Sequence, residues 1–289
     1  MRLATGPHAP PTIGEAIGAA GRRLAAAGVD APRRDARLLL AHALGTAPEV
    51  VFAYPERRLS AKEGAAFGTL LGRRAGRQPM AQILGRREFW SLDFAVTPAV
   101  LTPRPESETV VEAVLDAGPD PCARVLDLGT GSGCLLLALL AELPNAHGFG
   151  VDLSAAAIAV AAANARALGL AARARFCVGD WGRALGDRFD VIVSNPPYVT
   201  SAAIDSLAPE SCRHEPRMAL DGGTHGLDAM RALAPEVARL LASGGVAAIE
   251  IGAGQGIEVE NMFATCGLTV TARRRDLAGV ERCLLLAGP

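Results

Sequence analysis

The apolar run Phe189-Asp190-Val191-Ile192-Val193-Ser194 stops at Asn195-Pro196-Pro197-Tyr198, where two consecutive prolines allow neither further strand pairing nor a helical turn. The chain must leave its sheet there. From Arg124 onward such runs alternate with helical patterns, the signature of a mostly parallel sheet with helices on both faces. The spacing predicts strands at 124–128, 147–151, 174–178, 189–194, 246–251, 268–274 and 281–287, with the clearest helices at 133–142, 155–168 and 227–242. A prolyl peptide has no N–H, so the carbonyls of Asn195 and Pro196 lie in a segment poor in donors. With the Asn195 side-chain oxygen they form a row of acceptors. Such a row suits a planar amino group with two N–H donors, whose flat face the Tyr198 ring can cover. The same four residues are equally at home in a plain turn, and only their surroundings decide.

Ahead of the sheet, residues 12–77 carry a helical pattern. Thr12 with Glu15 and Ser60 with Glu63 are capping boxes, and the second helix is expected from Pro32 to Leu44, with Gly45 as its stop. Between Gln82 and Leu101 the period changes to two, and Phe89, Leu92, Phe94 and Val96 predict a hairpin turned near Ser91-Leu92-Asp93. The expected division is an N-terminal helical bundle over 1–81 that recognises a partner, a β-hairpin linker over 82–103, and the α/β domain over 104–289.

A chain of 289 residues with 50% hydrophobic and 20% charged residues can bury a sizeable core. Its net charge of −1 gives no general attraction for nucleic acid or an anionic membrane. Arginine pairs at 22–23, 33–34, 57–58, 73–74 and 86–87 make either a local basic patch or a solvated helical face. Cysteines 122, 134, 177, 212, 266 and 283 are scattered, with no metal-ligand spacing, so reduced and mostly buried thiols in a cytoplasmic protein are expected, without a metal. Met1 to Pro7 contains no apolar core of a leader peptide, and no segment is expected to enter a membrane.

Val125-Leu126-Asp127-Leu128 runs straight into Gly129-Thr130-Gly131-Ser132-Gly133, with a helix behind it. Glycines at alternate positions let a ligand approach the backbone at a helix N-terminus. Asp152 lies 19 residues past Gly133, at a strand end where a carboxylate can accept from ribose hydroxyls. A nicotinamide dinucleotide would suit these features too. However, the loop is Gly-x-Gly-x-Gly, without the glycine placed for pyrophosphate. Gly179-Asp180-Trp181, ending the third strand, offers a carboxylate for an adenine amino group and a ring to flank it, although the tryptophan would also serve as core. Asp127 either lies near a sulfonium-bearing end or caps the glycine loop. Together these details favour S-adenosyl-L-methionine.

These residues resemble the class I methyltransferases that act on planar amino nitrogens. Arg104-Pro105-Glu106, Glu215-Pro216, Gly226-Leu227-Asp228, Glu250-Ile251-Gly252 with Gln255, and Asp276-Leu277-Ala278-Gly279 narrow the resemblance to the HemK-type peptide chain release factor glutamine methyltransferases. The resemblance implies a Rossmann-like, mostly parallel sheet and transfer of a methyl group from S-adenosyl-L-methionine to the glutamine amide of the Gly-Gly-Gln motif in class I release factors. It also implies that Gly129, Thr130, Gly131, Ser132, Gly133, Asp152, Trp181 and Asn195 line the cofactor. Asn195, Pro196, Pro197 and Tyr198 would hold the substrate amide, with Asn195, Pro196 and Tyr198 carrying the catalysis. Thr102 and Ser107 stand where the family usually has Ile and Thr, and Ser211-Cys212-Arg213-His214 is atypical.

An amide nitrogen is a poor nucleophile because its lone pair is delocalised, so orientation is the main obstacle to methylating it. Accepting both N–H bonds, at Asn195 Oδ1 and the Pro196 carbonyl, would fix the nitrogen in line with the methyl carbon and needs no strong base. The rival readings are methylation of a glutamine in a ribosomal protein, adenine-N6 methylation of nucleic acid, and an idle cofactor-binding protein. Two tryptophans and two tyrosines are few for base stacking, so a protein substrate, no direct nucleic-acid binding and a monomer are expected.

Overall fold

The computed structural model describes residues 10–288 and divides into two compact units, one running to Leu84 and also taking in Pro209–His214, the other made of Gly85–Ala208 and Glu215 onward. The segment Met1 to Pro7, expected to hold no leader peptide, lies outside the described residues.

The first unit contains helices α1 (Ile13–Ala26), α2 (Pro32–Leu44), α3 (Pro48–Ala53), α4 (Ala61–Ala75) and α5 (Met80–Leu84). Both capping boxes form: Thr12 and Ser60 each accept from the backbone three residues on, while Glu15 and Glu63 reach back to the cap N–H groups. Gly45 takes the left-handed conformation that ends α2. Ile13, Leu24, Leu39, Leu40 and Val51 close a core of their own. Inside it lies a charge cluster that hydrophobic periodicity does not announce. Arg74 on α4 donates to Asp35 on α2 at 2.7 Å and to Glu210 at 2.7 Å, and Arg77 reaches Glu210 through two nitrogens, each at 2.7 Å.

Glu210 belongs to a short helix, α9, covering Pro209–His214. Gln82 Nε2 donates to the His214 carbonyl at 2.9 Å, and the His214 ring lies 3.1 Å from the carbonyl of Gly76. The residues just past the double-proline strand end therefore pass into the helical unit and return at Glu215.

The second unit begins with a hairpin of strands β1 (Arg86–Phe89) and β2 (Leu92–Ala95). Its turn is Trp90-Ser91, both at positive φ of 52° and 57°, one residue earlier than expected. Phe89 and Phe94 pack edge-on in the same core as Val110 and Leu136, so the hairpin packs with this unit.

Beyond it come α6 (Glu108–Asp116), β3 (Arg124–Leu128), α7 (Cys134–Glu142), β4 (His147–Asp152), α8 (Ala155–Ala167), β5 (Ala174–Val178) and β6 (Phe189–Ser194). After α9 the chain adds α10 (Asp228–Leu240), β7 (Leu241–Glu250), α11 (Gly256–Thr265), β8 (Thr269–Arg275) and β9 (Glu281–Ala287). The sheet order is β5-β4-β3-β6-β7-β9-β8, parallel through its first five strands, with β9 antiparallel to both neighbours. Two apolar layers, one around Val125, Leu136 and Val193 and one around Leu126, Ile192 and Met230, cover the two faces as the alternation predicts. All six cysteines are free, but only Cys283 is buried and Cys122 is exposed, so the expectation of mostly buried thiols does not hold. No helix among the described residues is long and apolar enough to cross a membrane.

Burial alone would raise the Glu210 pKa, but hydrogen bonds from Arg77 and Arg74 outweigh it and hold the carboxyl down at about 2, against an ordinary 4.5. Because the folded value lies below the unfolded one, this contribution is fully present above about pH 4.5 and is lost as pH falls toward 2. Glu210→Gln should cost about 2–3 kcal/mol at pH 7, measured by urea unfolding. The gap between variant and wild type should close between pH 5 and pH 2; a gap that stays constant over that range contradicts the assignment.

Candidate active site

The carboxyl ends of β3, β4 and β6 stand side by side because the register pairs Leu126 with both Phe149 and Ile192. Hydrogen bonds then tie the ends together. Gly129 N and Thr130 N donate to the Val151 carbonyl at 2.8 and 2.9 Å, and the buried Ser194 hydroxyl donates to the Leu128 carbonyl at 2.6 Å. One cavity opens over these ends, walled by the glycine loop, Asp152, Trp181 and Asn195 and closed on another side by residues 99–104 and 216–219.

The loop after β3 folds around its own acids. Asp152 accepts Gly131 N at Oδ2 and Ser154 N at Oδ1, both at 2.8 Å, so the carboxylate at the end of β4 is held still in the cavity wall. Gly129 has φ 76°, and a β-carbon there would lie 3.4 Å from the Trp181 ring, so the indole rests directly on glycine backbone. Gly129, Thr130, Gly131 and Ser132 line the cavity; Gly133 does not. Its φ of 81° starts α7, and a β-carbon would press on Ala161 and Leu137 at 3.2 Å, so this glycine serves helix packing.

Asp127 is 1% exposed, and Thr130 Oγ1 donates to its Oδ2 at 2.6 Å. Its Oδ1 has no hydrogen-bond partner. Burial pushes its pKa up from 3.8 to about 7, the Thr130 hydrogen bond pulls down, and the nearby Asp152 charge pushes up again. An unpartnered buried carboxylate oxygen in a cavity wall is a place for a cationic or hydrogen-bond-donating ligand group.

On the opposite side of the wall stand Asn195 and Pro197. Asn195 Nδ2 donates to Ser107 Oγ at 3.0 Å. Pro196 is buried and outside the cavity wall, and so is the half-buried Tyr198, whose hydroxyl donates to Glu250 Oε1 at 3.1 Å. Of the four residues expected to hold the substrate amide, Asn195 and Pro197 line the cavity and Pro196 and Tyr198 do not. Asp180 lines the cavity but spends one carboxylate oxygen on Arg183 at 2.5 Å.

The motifs that sequence could only enumerate meet here. Arg104 pairs with the fully buried carboxylate of Glu215, which also accepts Thr102 N at 3.1 Å. Gln255 Nε2 donates to the carbonyls of both Tyr198 and Gly226 at 3.2 Å, while its Oε1 accepts Gly252 N at 2.9 Å. Glu106 is exposed, whereas Glu250 is buried.

Asn164 was overlooked in the sequence. It is 1% exposed on the alanine-rich α8, exchanges hydrogen bonds with the Ala95 backbone at 2.7 and 3.2 Å, and donates to the Ser132 carbonyl at 2.9 Å. It thereby couples the hairpin to the glycine loop. Its signal is a lone amide on a helix whose other residues are alanine, isoleucine and valine apart from Arg166.

Residues 15–85 match the family described as PrmC N-terminal domain, and residues 119–253 match one described as Methyltransferase domain. The chain is 48% identical to the release factor glutamine methyltransferase of Rhodospirillum rubrum over 271 residues, covering 92% of this chain and 83% of that one. It is 48% identical to that of Caulobacter vibrioides over 276 residues, covering 95% and 96%. Among solved structures, a methyltransferase from Pyrococcus furiosus matches at TM-score 0.52 and 18% identity, over 68% of this chain and 90% of that one. The hMettl16 catalytic domain in complex with the MAT2A 3′UTR hairpin 6 matches at TM-score 0.57 and 16% identity, over 75% and 81%. Those two likenesses concern the fold alone. Identity of this order along nearly the whole length of both chains means that this chain belongs to the release factor glutamine methyltransferase family.

Proposed function

We propose that this protein transfers a methyl group from S-adenosyl-L-methionine to the side-chain amide nitrogen of the glutamine in the Gly-Gly-Gln motif of class I peptide chain release factors, as a cytoplasmic monomer that acts on protein and not on nucleic acid. One observation carries the reading: the Asn195 amide, at the end of β6, stands in the wall of the same cavity as the glycine loop, with its nitrogen already bound to Ser107. Its oxygen is then the end left to accept from a second amide.

The cavity's donor set fits the methyl donor. Asp152 at a strand end suits ribose hydroxyls, Trp181 suits a flat base, and the unpartnered Oδ1 of Asp127 suits the amino group of the methionine part. Bound there, the cofactor supplies an electrophilic methyl carbon. The protein's own part is orientation. Asn195 Oδ1 would accept an N–H bond of the substrate amide and so orient its nitrogen, whereas the Pro196 carbonyl expected to take the second belongs to a buried residue outside the cavity lining. Val100, Thr102 and Pro103 supply the buried part of the adjoining wall, and Pro216, Met218 and Ala219 border the cavity on their more exposed side. Cys134 also lines the cavity, but burial pushes its thiol up to about 12, which removes it as a nucleophile at neutral pH.

Tritium from labelled cofactor should appear in release factor, at glutamine, and not in ribosomal protein or DNA; label in either of the latter instead overturns the assignment. Asn195→Ala should lower single-turnover transfer at saturating cofactor by ~10²-fold or more.

Cofactor affinity should depend on pH through Asp127. In the free protein its pKa is about 7, so below neutrality it is protonated and must ionise to meet a cation. Calorimetric binding of S-adenosylhomocysteine should weaken by up to roughly tenfold per pH unit below 7 and level off above 8. Asp127→Asn should bind ~10-fold or more weakly at pH 8 and lose that dependence. A variant with the wild-type pH profile would exclude Asp127 from the contact.

A further inference from the structure

Glu250, the last residue of β7, is 1% exposed. Its neighbours come from every element packed around it. The Tyr198 hydroxyl donates to Oε1 at 3.1 Å, Oε2 has no hydrogen-bond partner, and the Ser107 hydroxyl is near enough to the same carboxylate to lower its pKa. Arg282 at the start of β9 brings positive charge, although its Nε is shared with Asp276 at 2.9 Å. Glu106 brings negative charge to Glu250, and Arg104 brings positive charge to Tyr198. The Cys283 and Cys134 thiols are close enough to feel the carboxylate. Burial is the strongest influence and sets the Glu250 pKa at about 7, with Ser107, Tyr198 and Arg282 opposing the rise.

Ser107 links this carboxylate to the substrate side. Its oxygen accepts Asn195 Nδ2 at 3.0 Å, and a hydroxyl that accepts has one proton left to give. The open Oε2 of Glu250 is the nearby acceptor for that proton, and given to it the proton makes hydrogen bonding run one way, from Asn195 through Ser107 to Glu250. Turning the Asn195 amide over would set its oxygen against an oxygen whose proton is already committed. Tyr198, three residues on, ends on the same carboxylate with its ring and on Gln255 with its carbonyl.

We propose that Glu250 is a positioning residue for methyl transfer, which through Ser107 keeps the oxygen of Asn195 turned away from Ser107 and toward the substrate amide, and through Tyr198 fixes the far end of the same turn. This rests on the amide-methylating reading above. A proton on Glu250 weakens its hold on both hydroxyls, and Asn195 then has no preferred side.

The test combines Glu250→Gln and Ser107→Ala with two readouts on the full-length protein. In kinetics with release factor as substrate, each variant should lose ~10- to 100-fold in kcat, with KM for the cofactor within about twofold of wild type. The double variant should be no worse than the poorer single one, as for residues that act as a unit. In amide NMR of the free protein, the Asn195 side-chain signals should titrate near pH 7 in wild type and stay flat in Glu250→Gln. Asp127 titrates in both proteins and cannot produce that difference. Additive losses, a kcat at the wild-type level in Glu250→Gln, or Asn195 signals that ignore pH in wild type would overturn the proposal. If release factor is not methylated at all, the functional reading falls, while the NMR titration still decides whether Glu250 holds Asn195.

Discussion

Everything in the catalytic unit depends on parallel strands that end level with one another. A parallel sheet sends each strand's carboxyl end to the same edge, and there the backbone must find partners outside the ladder. Here those partners are local: Val151 takes two N–H groups from the glycine loop, and Leu128 takes the Ser194 hydroxyl. The loop after β3 and the corner after β6 are thereby held beside each other before any ligand arrives. A shift of one residue in the β3–β6 register would turn Asp127 and Asn195 to opposite faces of the sheet. The two buried apolar layers hold that register in place, so core packing and site geometry are one problem.

The double proline solves a second part of it. Having no N–H to contribute, the Pro196-Pro197 segment cannot secure itself, and it is held from outside. Gln255 grips the Tyr198 carbonyl, and glycine at 222, 226 and 252 leaves room for the turn, since a β-carbon at each would lie within 3.1 Å of Pro197 or Tyr198 atoms. Gly226-Leu227-Asp228 and Glu250-Ile251-Gly252 with Gln255 are thus one scaffold for one corner. Arg104 with Glu215 does the same for the opposite wall.

Much of this was legible in the sequence because its rules are local. Strand runs, capping boxes, the glycine turn and the proline stop each depend on residues within a few positions of one another, and the strands 124–128, 174–178, 189–194 and 281–287 fall where periodicity put them. What escaped was non-local. Nothing near Asp35, Arg74 or Glu210 announces that three charges from distant segments share one partly buried cluster, because a charge pair leaves no period in the chain. The excursion of Pro209–His214 into the helical unit was hidden for the same reason, and so was the role of Asn164. The hairpin turn was displaced because Trp90 and Ser91 adopt positive φ, which side chains of their kind rarely do. At the corner after β6, the sequence does not tell that Asn195 and Pro197 line the cavity while Pro196 and Tyr198 do not. Side-chain direction after a strand end is set by what grips the turn.

The two buried carboxylates show how the same titration can serve opposite ends. Asp127 and Glu250 both have their pKa raised to about 7, and burial is the leading cause in each. Asp127 lines the cavity, accepts the Thr130 hydroxyl at Oδ2 and leaves Oδ1 without a hydrogen-bond partner, the arrangement proposed above to meet a cationic group. Glu250 stands outside the cavity lining and accepts the Tyr198 hydroxyl at Oε1, its Oε2 also lacking a hydrogen-bond partner, with Ser107 and Arg282 close by. A carboxylate that waits for a ligand must face the cavity, and one that orders the protein must not. Methylating an amide asks for both kinds at once, because the reaction has little need of a base and great need of alignment: one partner must be bound by charge and the other turned by hydrogen bonds. Placing the first at the end of β3 and the second at the end of β7, with β6 and its asparagine between them in the sheet, keeps two like charges apart while letting each act on the same cavity.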